Sequence, residues 1–145
     1  MKRYALAFSL ATILCSASAA AQFTLGAGAG GGFGRGEGSA VHGLAFAEFK
    51  APVLPGLRAD ALVMDAPAGS GPLSLALSVV LSVPLPIVKP YVLAGWGTYG
   101  IGKDNSSSGW NIGVGVRVSL GVGVFVEARR HDKIGRDLLT AGITF

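Results

Sequence analysis

The stretch Leu138-Leu139-Thr140-Ala141-Gly142-Ile143-Thr144-Phe145 ends the sequence on an aromatic residue. Read in steps of two, Leu139, Ala141, Ile143 and Phe145 fall on one face, and a mostly small or polar set falls on the other. Period two is the side-chain period of a β-strand. A soluble domain seldom leaves an apolar strand edge unpaired, because free backbone groups promote aggregation. We therefore expect this strand to pair on both sides and to close a barrel.

Seven earlier segments show the same alternation. The clearest runs from Trp110 to Leu120, where large apolar residues alternate with glycine and polar residues. The other segments begin at Phe23, Val41, Leu57, Leu73, Pro90 and Val124. Segments rich in glycine, proline or charge separate them, as turns and loops require. Eight strands, several of about ten residues, are long enough to cross a bilayer at a tilt. The sequence therefore predicts an all-β fold, an eight-stranded antiparallel up-and-down transmembrane β-barrel.

The N-terminus has the pattern of a secretory signal peptide. Lys2 and Arg3 form a positive region, Tyr4 to Cys15 is apolar, and small residues from Ser16 to Ala21 favour cleavage before Gln22. An N-terminal membrane anchor is the alternative, but the apolar run is short and small residues follow it. We expect residues 1–21 to be a cleaved signal peptide and residues 22–145 to be the barrel domain.

The composition of the remaining chain excludes several classes of function. Its one cysteine, Cys15, lies within the predicted signal peptide, so the mature chain has no disulfide and no thiolate metal site. Without Lys2 and Arg3, ten basic residues stand against eight acidic ones, and they form no basic stripe that would indicate nucleic acid. Half the residues are apolar, yet serines and prolines interrupt the longest apolar run after the signal, Leu73 to Val88. A closed barrel is the other structure that lipid permits.

Along each predicted strand, alternate residues face outward, and we call these positions the outward parity. Aromatic residues at these positions fall at two heights along the barrel axis. If the chain starts in the periplasm, one level lies at the periplasmic ends of the strands and the other at their outer ends. The first level comprises Phe23, Phe49, Tyr91 and Phe145, and the second comprises Phe33, Tyr99 and Trp110. Two such girdles are typical of a membrane barrel, because amphipathic rings favour the boundary between lipid and water.

Charges within the strands fall almost entirely on the inward parity. Three are acidic and three are basic: Glu48, Arg58, Asp60, Arg117, Glu127 and Arg129. The interior of an eight-stranded barrel is just wide enough for side chains to fill it, and buried charges need partners. We expect a lumen charge network that plugs the periplasmic half, with room for water or a small apolar ligand above it at Gly26, Gly28, Gly113 and Gly115. Arg130 is the exception by parity, and at the outer rim it could face lipid phosphates.

Several short motifs carry a family resemblance. They are the predicted signal peptide, Lys89 to Gly95, Gly113 to Arg117, Val126 to Arg129, and Gly142 with Phe145. With these features the mature chain resembles the small outer-membrane β-barrels of the OmpA/OmpX type. The resemblance implies a Gram-negative outer-membrane location and insertion by the barrel-assembly machinery. That machinery would read Gly142 and Phe145 as part of an assembly signal. The resemblance implies no activity, because one fold hosts many functions.

The function expected from these features is structural or interactive, without catalysis and without a cofactor. The alternative enzyme would be a lipid-modifying barrel, for which His131 with Glu127 and Asp132 is the only grouping worth testing. Deacylase barrels place a serine two residues after the histidine, where this chain has Lys133, although Ser106 to Ser108 could approach in space. The simpler interpretation is that His131 ends a strand at the rim. His42 and His131 do not by themselves make a metal site.

Two further alternatives are open. A small-solute pore is possible if the lumen charges do not close the barrel. A soluble lipocalin-like barrel would place its large apolar residues inside. The match to G-x-G-x-x-G at Gly26, Gly28 and Gly31 is attributed to chance, because no helix follows it.

The expected partners are outer-membrane lipid and lipopolysaccharide, and we expect a monomer.

Overall fold

A computed structural model of the protein describes residues 22–33, 40–51, 54–64, 71–102, 106–120 and 122–145. The predicted signal peptide, residues 1–21, lies outside these residues. Within the described ranges, no helix is both long enough and apolar enough to cross a membrane.

Eight strands form one closed sheet in which each strand is antiparallel to its neighbours in sequence. The strands are β1 (Gln22–Phe33), β2 (Ala40–Lys50), β3 (Gly56–Met64), β4 (Leu73–Ser82), β5 (Val88–Ile101), β6 (Ser107–Leu120), β7 (Val122–His131) and β8 (Asp137–Thr144). The predicted fold class is confirmed. We call the end of the barrel at which β2 is followed by β3, β4 by β5 and β6 by β7 the turn end, and the opposite end the loop end.

The barrel closes between β1 and β8. Their register runs from Gly26 opposite Thr144 to Phe33 opposite Asp137. Beyond the last ladder pair, the Leu25 amide donates to the Phe145 carbonyl at 3.1 Å, and the Phe145 amide donates to the Leu25 carbonyl at 2.8 Å. The segment that ends the sequence therefore pairs on both sides, with β1 and with β7, as its alternation predicts.

Most large apolar side chains of the described strands lie on the outside of the wall, and most polar side chains of these strands lie inside it. In β4, Leu75, Leu77 and Leu81 are 48%, 61% and 56% exposed, whereas Ser74 and Ser78 are buried. A lipocalin-like barrel would have the opposite arrangement. The exterior is instead an apolar band, as the outer surface of a membrane barrel requires.

The orientation of β5 differs from the prediction. Tyr91 and Tyr99 are each 5% exposed and point into the barrel, so their assignment to the aromatic girdles is wrong. Both faces of β5 carry aromatic and apolar residues, so period two alone did not decide which face is inside. The register decides it, because Tyr91 lies opposite Ser82 and Gly115, both of the inward set, and directly opposed side chains share a face.

The inward glycines do not leave open space. A Cβ at Gly26 would overlap the Phe46 ring, and one at Gly115 would overlap the Tyr91 ring. At Gly28 it would meet the Phe125 ring at 3.0 Å. The expectation of room for a small ligand above these glycines is therefore wrong, because bulky side chains from other strands occupy that space.

Candidate functional site

Two arginines and two carboxylates form a closed ring across the lumen. Arg58 and Asp60 come from β3, and Glu127 and Arg129 come from β7, which is four strands away on the opposite wall. All four side chains are almost fully buried, at 0%, 2%, 1% and 4% exposed. We call these four residues the ion-pair ring.

Each arginine of the ion-pair ring contacts both carboxylates. Arg58 Nε lies 2.7 Å from Asp60 Oδ1, and its Nη1 lies 2.7 Å from Glu127 Oε2. Arg129 Nη1 lies 2.9 Å from Asp60 Oδ2, and its Nη2 lies 2.7 Å from Glu127 Oε1. The ring is formally neutral, and each guanidinium meets its partners through several donors, which is the geometry that allows charges to be buried.

Aromatic rings pack around the ion-pair ring. The guanidinium of Arg58 lies 3.6 Å from the centroid of the Phe46 ring, within the range of a cation–π contact. Phe46 meets Phe125 edge to face at 5.3 Å. The hydroxyl of Tyr91 donates to Glu127 Oε2 at 2.8 Å. These contacts fix the side chains of the ring from two further strands, β2 and β5.

The other two members of the predicted network form a separate pair nearer the turn end. Arg117 Nη2 lies 2.7 Å from Glu48 Oε2, and these residues come from the opposed strands β6 and β2. The structure thus brings the six predicted lumen charges together as one group of four and one group of two.

Hydrogen bonds between uncharged side chains cross the lumen towards the loop end. His42 Nε2 and Thr140 Oγ1 are 2.7 Å apart, and His131 Nδ1 and the Tyr99 hydroxyl are 2.9 Å apart. Between the ion-pair ring and these contacts lies a cavity of about 10 Å³, close to the smallest volume that can hold a single water molecule. Among the described residues, no three His, Cys, Asp or Glu side chains are arranged to hold a metal ion.

The remaining predicted girdle residues are on the outside. Phe23, Phe49 and Phe145 are 64%, 47% and 71% exposed near the turn end, and Phe23 lies directly opposite Phe49. Phe33 and Trp110 are exposed towards the loop end. Trp110 lies opposite Trp96, which is 60% exposed and was not assigned to a girdle from the sequence.

The solved structures that are similar to this chain include three β-barrels. A de novo designed transmembrane β-barrel has 16% sequence identity and a TM-score of 0.66, over 85% of this chain and 93% of its own. Neisserial surface protein A has 15% identity and a TM-score of 0.63, over 86% and 97%. The N-terminal β-barrel domain of Pseudomonas aeruginosa OprF has 15% identity and a TM-score of 0.56, over 85% and 96%. No family model matches the chain, and no curated protein is similar to it in sequence.

The chain has the fold of the small transmembrane β-barrels. Identities of this size show the fold and nothing finer, so the resemblance predicted from the sequence motifs is confirmed at the level of the fold.

The three residues considered for a lipid-modifying enzyme, Glu127, His131 and Asp132, each have a different partner in the structure. Glu127 belongs to the ion-pair ring, and His131 is 4% exposed and faces the Tyr99 hydroxyl. Asp132 is exposed and lies 3.3 Å from Lys133 Nζ. Ser108 Oγ lies 3.1 Å from Thr98 Oγ1 on the neighbouring strand. These contacts give His131 the Tyr99 hydroxyl as its hydrogen-bond partner and pair Ser108 with Thr98.

Arg130 lies outside the barrel at the loop end, as its parity predicts, but it has a protein partner. It forms a bidentate pair with Asp137 of β8, at 2.7 and 3.0 Å. Directly opposed residues on β7 and β8 make this contact.

The aromatic and hydroxyl groups that pack around the lumen charges were not predicted from the sequence. Phe46, Phe125, Tyr91 and Tyr99 are all buried inside. For Phe46 and Phe125 a signal was present, since both share the inward parity with Glu48 and Glu127. For the tyrosines the signal would have been the small inward residues on β6, the neighbouring strand, because a glycine on one strand accommodates a large ring on the next.

Proposed function

We propose that the protein is an integral outer-membrane β-barrel with a side-chain-filled lumen, which serves a structural or interaction role and is not an open pore. The observation that carries this proposal is the ion-pair ring, which joins opposite walls of a barrel whose exterior is apolar.

The exterior supports the membrane part of the proposal. Leucine, valine or isoleucine side chains are exposed on all eight strands. On β5, whose orientation is the reverse of the predicted one, the exposed residues include Val92 and Trp96. Exposing this much apolar surface to water would be unfavourable, whereas in a bilayer it is solvated by acyl chains. The similar barrels named above share this fold, and among them are a neisserial surface protein and a designed transmembrane barrel.

The interior supports the closed lumen. Arg58 and Glu127 meet across the full width of the barrel, and Arg117 and Glu48 do so again nearer the turn end. Parting such buried pairs leaves uncompensated charges in a low-dielectric interior, which is strongly unfavourable. A permanent water-filled path for ions therefore conflicts with the packing of these side chains.

The same proposal includes how the protein reaches its membrane. A cleaved signal peptide at residues 1–21 would export the chain, and the barrel-assembly machinery would insert it through β8 with Gly142 and Phe145. Its surroundings would then be outer-membrane lipid and lipopolysaccharide, and a monomer suffices because the sheet has no open edge.

Membrane fractionation tests the location. We expect the protein in the outer-membrane fraction. Boiled and unboiled samples should differ in gel mobility, because the closed barrel persists in detergent until it is heated. Recovery in the soluble periplasmic fraction, with no dependence of migration on heating, would contradict the proposal.

Planar-bilayer recordings test the closed lumen. We expect negligible conductance from the refolded protein, with an established porin in the same bilayers as a positive control. A steady open channel would contradict the filled lumen and would favour the small-solute pore.

A further inference from the structure

Three cationic side chains converge at the turn end of the lumen. Lys50 is the last residue of β2, Lys89 is the second residue of β5, and Arg117 lies near the end of β6, all on the inward face. They line a cavity of about 40 Å³ together with Gln22, Ser82 and Glu48. We call Lys50, Lys89 and Arg117 the basic mouth.

The charges of the basic mouth are not balanced by the protein side chains that line the cavity. Glu48 is the one carboxylate in the lining, and it is already bonded to Arg117 at 2.7 Å. Three cations against one carboxylate leave two positive charges in excess. The ion-pair ring deeper in the lumen is neutral, so the excess is confined to the mouth.

The register makes this excess unfavourable for the protein alone. Lys89 of β5 lies directly opposite Arg117 of β6. Like charges on directly opposed residues of an antiparallel pair are destabilising. A sheet that places two cations there gains stability from an anion bound between them.

The polar groups around the cavity are suited to an oxyanion. Arg117 Nε is buried and has no hydrogen-bond partner in the described structure. Lys50 Nζ donates to the hydroxyl of Ser82, so that the Lys50 ammonium group is held between the turn ends of β2 and β4. Ammonium and guanidinium donors form strong, short hydrogen bonds with phosphate and carboxylate oxygens.

We propose that the basic mouth is a binding site for a phosphate group. The site opens along the barrel axis, so the phosphate could belong to a soluble phosphate compound or to a lipid headgroup folded over the rim. The site requires the barrel fold and the charges named here, and it does not depend on whether the lumen conducts ions.

The test is calorimetric titration of inorganic phosphate into the refolded barrel in uncharged maltoside micelles at constant ionic strength. We expect saturable binding at one site. The variant Lys89→Gln should bind about tenfold more weakly, because it removes one charge-assisted contact. The matched control is Lys133→Gln, which removes the same charge at the loop end, where Lys133 lies 3.3 Å from Asp132, and its affinity should stay within about twofold of the unsubstituted protein.

Each other outcome is decisive. Absence of saturable binding, or equal weakening by both substitutions, would overturn the proposal, because phosphate would then respond only to net charge. If Lys89→Gln fails to show the heat-dependent gel shift of a folded barrel, Lys50→Gln takes its place with the same expected loss. Micelles doped with an anionic phospholipid distinguish the two phosphate sources: competition with inorganic phosphate assigns a headgroup, and lack of competition assigns a soluble compound.

Discussion

Arg58 of β3 and Glu127 of β7 stand on opposite walls of the barrel, yet Arg58 Nη1 lies 2.7 Å from Glu127 Oε2. This contact shows that the lumen is narrow enough for one pair of side chains to span it. Arg129 and Asp60 repeat the contact in the opposite sense, with the arginine on β7 and the carboxylate on β3. The two crossings join the same pair of strands, and each pairs one cation with one carboxylate, so the group of four is formally neutral.

The substitution Arg58→Met tests the ion-pair ring. It removes a buried cation that contacts two carboxylates, and we expect the free energy of unfolding to fall by about 3–5 kcal/mol. Urea unfolding in micelles, followed by the heat-dependent gel shift, measures the loss. The double variant Arg58→Met with Glu127→Gln should recover part of it, since Asp60 and Arg129 then remain as a neutral pair.

The control for this prediction is Arg130→Met. Arg130 also has a bidentate carboxylate partner, but it lies outside at the loop end, 64% exposed. Exposed pairs contribute little, so we expect little change in stability. An equal loss from Arg58→Met and Arg130→Met would show that burial of the ring is not what stabilises the barrel.

The substitution Gly115→Ala tests the inward orientation of β5. A Cβ at this position would overlap the Tyr91 ring, so we expect a loss of about 1–3 kcal/mol in the free energy of unfolding. In a Tyr91→Leu background the same substitution should be better tolerated, because the ring that it meets is absent.

Gly31→Ala is the matched control for that substitution. Gly31 is also a strand glycine, but the nearest atom to its Cβ would be Phe33 Cζ at 3.9 Å, an ordinary contact. Stability should be nearly unchanged. If Gly115→Ala were as mild as Gly31→Ala in both backgrounds, Tyr91 would not lie over Gly115.

Tryptophan fluorescence tests the exterior directly. The protein has two tryptophans, Trp96 and Trp110, which lie opposite each other on the outer face of β5 and β6. In bilayers containing brominated acyl chains we expect strong quenching of the emission, with little quenching by aqueous iodide. Trp110→Phe leaves Trp96 as the reporter and should behave in the same way. Iodide quenching of that variant, with no effect of the brominated lipid, would place Trp96 away from lipid.

The substitution Phe145→Ala tests the residue that follows β8. Its ring is 71% exposed near the turn end, while its backbone is bonded to Leu25 on the other side of the closure. Because the ring is placed for the lipid boundary and for the proposed assembly signal, Phe145→Ala should lower the fraction of protein in the heat-shifted form, and Phe145→Trp should preserve it. Trp96→Ala removes another exposed aromatic ring and controls for lost hydrophobicity. Equal assembly of Phe145→Ala and Trp96→Ala would remove any special role for Phe145.

Much of the fold could be predicted because its signal is local. In β4, β6, β7 and β8 one face is large and apolar and the other is small or polar, so period two gives both the strand and its orientation. Proline, glycine and charge mark most of the connections between them. The parity of Arg58, Asp60, Glu127 and Arg129 is local information too, and it placed all four on the inward face.

Which of these charges would meet could not be predicted, because that depends on which strands stand opposite each other. The ion-pair ring joins residues 69 positions apart in the sequence, Arg58 with Glu127 and Asp60 with Arg129. Their separation from Arg117 and Glu48 follows from the stagger of the strands, which no single segment encodes.

The sequence by itself determined that this chain forms eight strands with an apolar outside and charges inside, since both properties follow from the alternation of side chains along each strand. The tertiary structure alone decided the orientation of β5, where Tyr91 and Tyr99 on one face and Val92 and Trp96 on the other are equally able to face lipid. The pairing of β5 with β4 and β6 decided it, because directly opposed residues share a face and the small residues Ser82 and Gly115 are inside. A large aromatic ring on one strand fits inside the barrel only over a small residue on the neighbouring strand. Which residues are neighbours is decided when the strands pair.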